Sequence, residues 1–97
     1  MSVLVLVECK VQDDKVDEFT NYIASIVEDT RSYDGCESMT FKVNQDDPTD
    51  IAFVEAWESR AKYEKYFAWR DESGALDKVG PMLAAPPNVR YFDDVAM

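Results

Sequence analysis

Residues 3–11 alternate with a period of two. Val3, Val5, Val7, Cys9 and Val11 share one face, and the other carries Leu4 and Leu6 before turning polar at Glu8 and Lys10. This predicts a β-strand covered on both faces over its first half. Gln12-Asp13-Asp14 interrupts the alternation, and Asp13 or Asp14 is placed to cap a following helix. The period then changes. Val16, Phe19, Ile23, Ile26, Val27 and Thr30 recur every three or four residues, which predicts a helix over 15–32 with the acidic residues largely off its apolar stripe. Tyr33-Asp34-Gly35 ends it, with Gly35 suited to the left-handed conformation.

A second strand is predicted over 36–44, where Met39, Phe41 and Val43 alternate with Ser38, Thr40 and Lys42. Residues 45–50, rich in Asp, Pro and Thr, read as a turn. The third strand, 51–57, is apolar on both faces except for Glu55, which lies between Phe53 and Trp57 on one of them. Ser59 is placed to cap a helix over 60–70 with Tyr63, Tyr66 and Phe67 at helical spacing. A short helix from Ser73-Gly74 to about residue 83, the helix-barring Pro86-Pro87, and a last strand over 88–95 complete the chain.

The predicted order is β-α-β-β-α-α-β, a split βαβ arrangement with a four-stranded antiparallel sheet and helices on one face, hence α+β and ferredoxin-like. Residues 1–97 form one domain. Helices cover one side of the sheet, yet the central strands are apolar on both. The chain is 46% hydrophobic, so a second buried surface is expected, most simply a second copy packed sheet to sheet as a homodimer.

Charge and composition narrow the chemistry. The net charge of −10 disfavours nucleic acid and anionic membrane surfaces as partners. The opening segment lacks a basic region and a small-residue cleavage site, and its apolar run is too short to span a bilayer. A cytoplasmic location and two reduced thiols, Cys9 and Cys36, are expected over a disulfide. The chain has no histidine, which excludes Ser-His-Asp and Cys-His nucleophiles and His-ligated metal or haem. Its three glycines build neither a dinucleotide fingerprint nor a phosphate loop.

Four stretches in this order resemble the antibiotic biosynthesis monooxygenase family, which includes quinol monooxygenases: Val3-Leu4-Val5 with Lys15-Val16-Asp17-Glu18-Phe19; Tyr33-Asp34-Gly35-Cys36-Glu37; Phe53-Val54-Glu55-Ala56-Trp57-Glu58-Ser59; and Pro86-Pro87-Asn88-Val89-Arg90-Tyr91. The resemblance implies a dimeric α+β barrel and oxygenation of a small phenolic or quinol substrate by O₂ with no cofactor. It implies catalytic roles for Trp57 and for Tyr63, six residues on; Tyr66, on the same helix, is a further candidate to hydrogen-bond the substrate. Phe53 stands where relatives carry an asparagine, and Tyr66 and Phe67 stand where many carry a histidine. That departure argues against haem degradation and removes the expected base. It also keeps open a second reading, a ligand-binding module or small-molecule isomerase on the same scaffold.

Phe53, Glu55, Phe67 and Arg70 are the expected pocket residues. Glu55 has two readings: buried, with a raised pKa and a role as base, or paired with Arg or Lys at an interface. Arg70 and Lys78 are charges suited to a phenolate, though solvation is the expected state of both. Trp57, Tyr63 and Tyr66 each also fit ordinary core packing.

Overall fold

The computed structural model describes residues 2–97. Strand β1 is Val3–Lys10, helix α1 Val16–Arg31, β2 Cys36–Asn44, β3 Asp47–Trp57, α2 Arg60–Glu72, α3 Ala75–Val79, followed by a 3₁₀ turn Gly80–Met82 and strand β4 Asn88–Phe92. The strands form one antiparallel sheet in the order β2-β3-β1-β4. This is the expected ferredoxin-like α+β arrangement, with β1 and β3 central.

Register divides the sheet into two faces. Val3, Val5, Val7 and Cys9 stand beside Trp57, Glu55, Phe53 and Ile51, and all of these point toward the helices. Met39 and Phe41 continue that face on β2, and Val89 and Tyr91 on β4. Helix α1 lays Phe19 and Ile23 on it, with Phe19 stacked parallel to Phe53 at 6.1 Å between ring centroids. Helix α2 contributes Tyr63 and Tyr66. The core is therefore one layer between sheet and helices. The opposite face carries Leu4, Leu6, Val54, Ala56 and Phe92 in adjacent register positions, with Leu4 and Phe92 exposed.

Several boundaries differ from expectation, each for a local reason. No aspartate side chain caps α1: Lys15 holds the N-cap position without a side-chain hydrogen bond, and Asp13 and Asp14 lie in the turn before it. The predicted turn at 45–50 contracts to Gln45-Asp46, and β3 begins at Asp47. The polar side chains there brace a hairpin rather than a loop. Asn44 accepts from the Asp46 N–H at 2.8 Å, and the Asp47 carboxylate accepts from the Thr49 N–H and hydroxyl and pairs with Lys10. Those bonds hold the Asp47 carboxyl down at about 2. The last strand stops at Phe92, and residues 93–95 lie outside it.

Other readings hold. Ser59 caps α2, its hydroxyl oxygen accepting from the Lys62 N–H at 3.2 Å. Gly35 has φ +95°, and a Cβ there would also sit 2.7 Å from Cβ of Lys62, so both backbone and space demand glycine. This turn fixes where α2 begins, because the Gly35 carbonyl accepts from the Glu58 N–H at 2.8 Å.

The α3 segment closes one side of the molecule. Gly74, at φ +85°, turns the chain out of α2. The 3₁₀ turn is then tied to the end of β1: the Gln12 N–H donates to the Met82 carbonyl at 2.9 Å, the Gln12 side-chain amide to the Pro81 carbonyl at 2.7 Å, and the Ala84 N–H to the Lys10 carbonyl at 2.7 Å. Among the described residues no helix is long and apolar enough to cross a membrane.

Candidate active site

Between the sheet and the three helices lies a cavity of about 100 Å³. Phe53 and Glu55 line it from β3, Tyr63, Tyr66, Phe67 and Arg70 from α2, and Leu76 and Val79 from α3. Six of the seven expected site residues thus meet at one place. The seventh, Trp57, lies behind the lining. It is 0% exposed and packs against Tyr63 and Tyr66 at 5.5 and 5.0 Å between centroids.

Two arrangements follow from local structure. On α2, Tyr63, Tyr66, Phe67 and Arg70 are spaced by three, four and seven residues, so they fall on one face. On β3, Phe53, Glu55 and Trp57 alternate onto the inward face. Glu55 stands at the centre of the sheet, paired with Val5 on one side and Met39 on the other, and is 4% exposed. It forms no ion pair among the described residues. Its Oε1 accepts a hydrogen bond from Trp57 Nε1 at 2.8 Å. Burial pushes its carboxyl up to about 7, against the opposing pull of the Trp57 hydrogen bond and the Arg70 charge.

Arg70 is not solvated, contrary to expectation, but 7% exposed. Its Nε donates to the Tyr66 hydroxyl at 2.9 Å, and its Nη2 donates to Thr30 Oγ1 at 2.9 Å and to the Ile26 carbonyl at 3.0 Å. Thr30 and Tyr66 share a further hydrogen bond of 2.6 Å. Lys78 is exposed, as expected. The sequence carried a signal for Arg70: it falls seven residues after Tyr63 and four after Tyr66, in line with the apolar face. Thr30 sits on the α1 stripe for the same reason, and its partnership with Arg70 across 40 residues had no local signature.

Among the described residues, the six ion pairs all lie at the surface and none involves Glu55 or Arg70. No fully buried side-chain nitrogen or oxygen among them lacks a hydrogen-bond partner. Glu55 Oε2, the Tyr63 hydroxyl and Arg70 Nη1 make no hydrogen bond among the described residues, so each meets accessible space; all three residues line the cavity, and Tyr63 also lines a neighbouring pocket with Glu64, Val89 and Tyr91. The cavity therefore has mostly apolar walls and three polar lining residues, each with one atom unengaged: an acid titrating near neutrality, a phenol and a guanidinium.

The remaining titratable lining groups stay neutral. Burial and the neighbouring Glu55 carboxylate raise the Tyr63 phenol far above its ordinary value, so it is a hydrogen-bond donor rather than a base. Burial raises Tyr66 as well, against the hydrogen bonds of Arg70 and Thr30, which already engage its hydroxyl. Burial pushes the Cys9 thiol up to about 11, and burial with the Glu55 charge does the same for Cys36, which lies outside the lining; neither is disulfide-bonded. Among the described residues no group of three His, Cys, Asp or Glu side chains is arranged to hold a metal ion.

Fold and site together define a ferredoxin-like α+β domain with an aromatic-lined cavity between helices and sheet. Residues 2–73 match the antibiotic biosynthesis monooxygenase family, and the chain belongs to it. Among solved structures, it is similar to an antibiotic biosynthesis monooxygenase (TM-score 0.87, 21% identity, covering 97% of this chain and 99% of that one). It is also similar to Rv0793 of Mycobacterium tuberculosis (TM-score 0.86, 18% identity, covering 100% and 98%). At these identities the likeness is one of fold. A curated relative, the uncharacterised protein sll1783 of Synechocystis sp., is 27% identical over 90 residues; the match takes in 93% of this chain and 61% of that protein's length.

Proposed function

We propose that this protein is a cofactor-independent monooxygenase acting on a small phenolic or quinol substrate in the cavity. The observation that supports this most directly is Glu55, a buried carboxylate titrating near neutrality that lines the apolar, aromatic cavity and has one oxygen unengaged. A general base works best when its pKa lies near the working pH and its surroundings exclude water. In this reading Glu55 Oε2 takes the phenolic proton and Tyr63 donates a hydrogen bond to the substrate. Tyr66 holds Arg70 rather than the substrate, and Trp57 positions Glu55.

The deprotonated ring passes one electron to O₂, and the superoxide and ring radical combine to form a carbon–oxygen bond. The resulting hydroperoxide loses water. One oxygen atom stays as a carbonyl and the other leaves in the water; the substrate has given up four electrons, two to the inserted oxygen and two, with two protons, to the water. The test is oxygen uptake by metal-stripped protein with a panel of hydroquinones and naphthols. Uptake above the spontaneous rate is the expected result. No uptake across the panel would sink this reading and favour ligand binding or isomerisation, for which the same carboxylate would move a proton without O₂.

The exposed sheet face supports a homodimer as the working form. Leu4, Leu6, Val54, Ala56 and Phe92 make a contiguous apolar patch, rimmed by the Glu8–Arg90 ion pair and Lys10. Covering it with a second sheet removes that area from water. Light scattering should give twice the 11.1 kDa chain mass, and Leu6→Arg should reduce it to one chain. A wild-type monomer at micromolar concentration would contradict this.

A further inference from the structure

The guanidinium of Arg70 poses a charge problem that the oxygenase reading leaves unsolved. It is 7% exposed, and all its protein partners are neutral: two hydroxyls and a backbone carbonyl. The rings of Tyr66 and Trp69 lie 5.3 and 4.8 Å from its Cζ, adding attraction but no counter-charge. Glu55, the one acid in the cavity lining, makes no ion pair with it. Burying a charge without a compensating one is costly, and Nη1 is left with no partner among the described residues although the other two nitrogens are fully used. A mere staple between α1 and α2 would not require Arg70 to line the cavity, as it does.

We infer that the cavity takes a ligand of about single-ring size carrying one anionic oxygen group, a carboxylate or an ionised phenol, seated on the Nη1 edge of Arg70. The Tyr63 hydroxyl, a donor with no acceptor among the described residues, is the second contact. Size follows from the volume. An apolar cavity of about 150 Å³ is known to take benzene, so about 100 Å³ suits a ligand of one ring with small side-chain adjustments. The groups facing the seat are Glu55, Tyr63, Tyr66, Cys9 and Arg70 itself, and only Arg70 is cationic. This rests on the cavity being a ligand site, and it holds whether or not the ligand is then oxygenated.

The test is calorimetric titration under nitrogen with benzoate, with benzyl alcohol as the neutral match, and with 4-nitrophenol above its own pKa. Benzoate or 4-nitrophenolate should bind roughly tenfold or more tighter than benzyl alcohol, the scale of a hydrogen bond to a charged group. Which anion binds tells carboxylate from phenolate. Arg70→Gln should erase the preference and leave benzyl alcohol within about twofold. Should that variant not fold, Glu55→Gln serves instead: removing the opposing carboxylate should tighten benzoate at pH 8. Equal or better binding of benzyl alcohol, binding of none of the three, an anion preference that survives Arg70→Gln, or benzoate affinity at pH 8 that does not rise in Glu55→Gln would overturn the assignment. Working without O₂ separates this from the oxygenase reading, since anion binding without turnover defeats only the latter, and turnover of a neutral phenol without anion preference defeats only the former.

Discussion

Glu55→Gln is expected to give a protein that is more stable above neutral pH and far slower in oxygen uptake. The stability half follows from linkage. Burial raises the folded-state pKa of Glu55 from 4.5 to about 7. Below 4.5 the group is protonated in folded and unfolded chains alike, so it makes no difference. Between 4.5 and 7 the folded state binds the proton more tightly than the unfolded one, and stability falls as pH rises. Above 7 the loss is complete, about 3 kcal/mol. Glutamine keeps an oxygen for Trp57 Nε1 but never charges, so it should recover much of that loss. For a domain of this size the gain is on the order of 10 °C in Tm at pH 8, and little at pH 4.

The activity half has the opposite sign. Wild-type turnover should rise with pH through a midpoint near 7, as the base becomes ionised. The variant should lose that inflection and about 10²–10⁴ of the rate. A gain in stability coupled to loss of turnover is the signature of a strained functional carboxylate. A variant with unchanged rate, or with the same inflection, would show that another group takes the proton.

The second large effect concerns Trp57, and two substitutions separate its roles. Trp57→Ala empties a site that is 0% exposed and in ring contact with Tyr33, Tyr63 and Tyr66. The expected cost is about 3–5 kcal/mol, a large part of what a domain of this size possesses. Loss of activity in that variant would therefore say little about chemistry. Trp57→Phe keeps most of the packing and deletes only the Nε1–H that donates to Glu55 Oε1. That bond holds the Glu55 pKa down, so its removal should move the pH–rate midpoint upward by about one pH unit. Urea denaturation and a pH–rate profile of both variants make the test. A midpoint that stays near 7 in Trp57→Phe would mean that Trp57 does not position the carboxylate.

The neighbours of these residues show why some roles escape sequence reasoning. Tyr63 and Tyr66 are three residues apart on one helix face and look equivalent, yet Tyr66 is engaged by Thr30 and Arg70 while the Tyr63 hydroxyl is free. The difference comes from α1, which supplies Thr30 and the Ile26 carbonyl. A surface arginine at position 70 was the natural expectation for a helix of low apolar content. Its burial depends on two acceptors more than 35 residues away.

Elements written in local periodicity were determined by the sequence itself. The two-residue alternation of Val3, Val5 and Val7, the α1 stripe of Phe19 and Ile23, the Ser59 cap and the left-handed Gly35 each depend on neighbours a few residues away, and all appear in the structure. Their order is enough for the ferredoxin-like fold. The inward placement of Glu55 was also legible, because it shares parity with Phe53 and Trp57. Tertiary structure decided the rest: that Glu55 pairs with Trp57 rather than a cation, that Arg70 turns inward, and that α3 closes the cavity over both. Those outcomes depend on register between β1, β3 and β2 and on hydrogen bonds spanning 40 residues or more. No local pattern encodes such bonds, and only the packed chain brings their partners within reach.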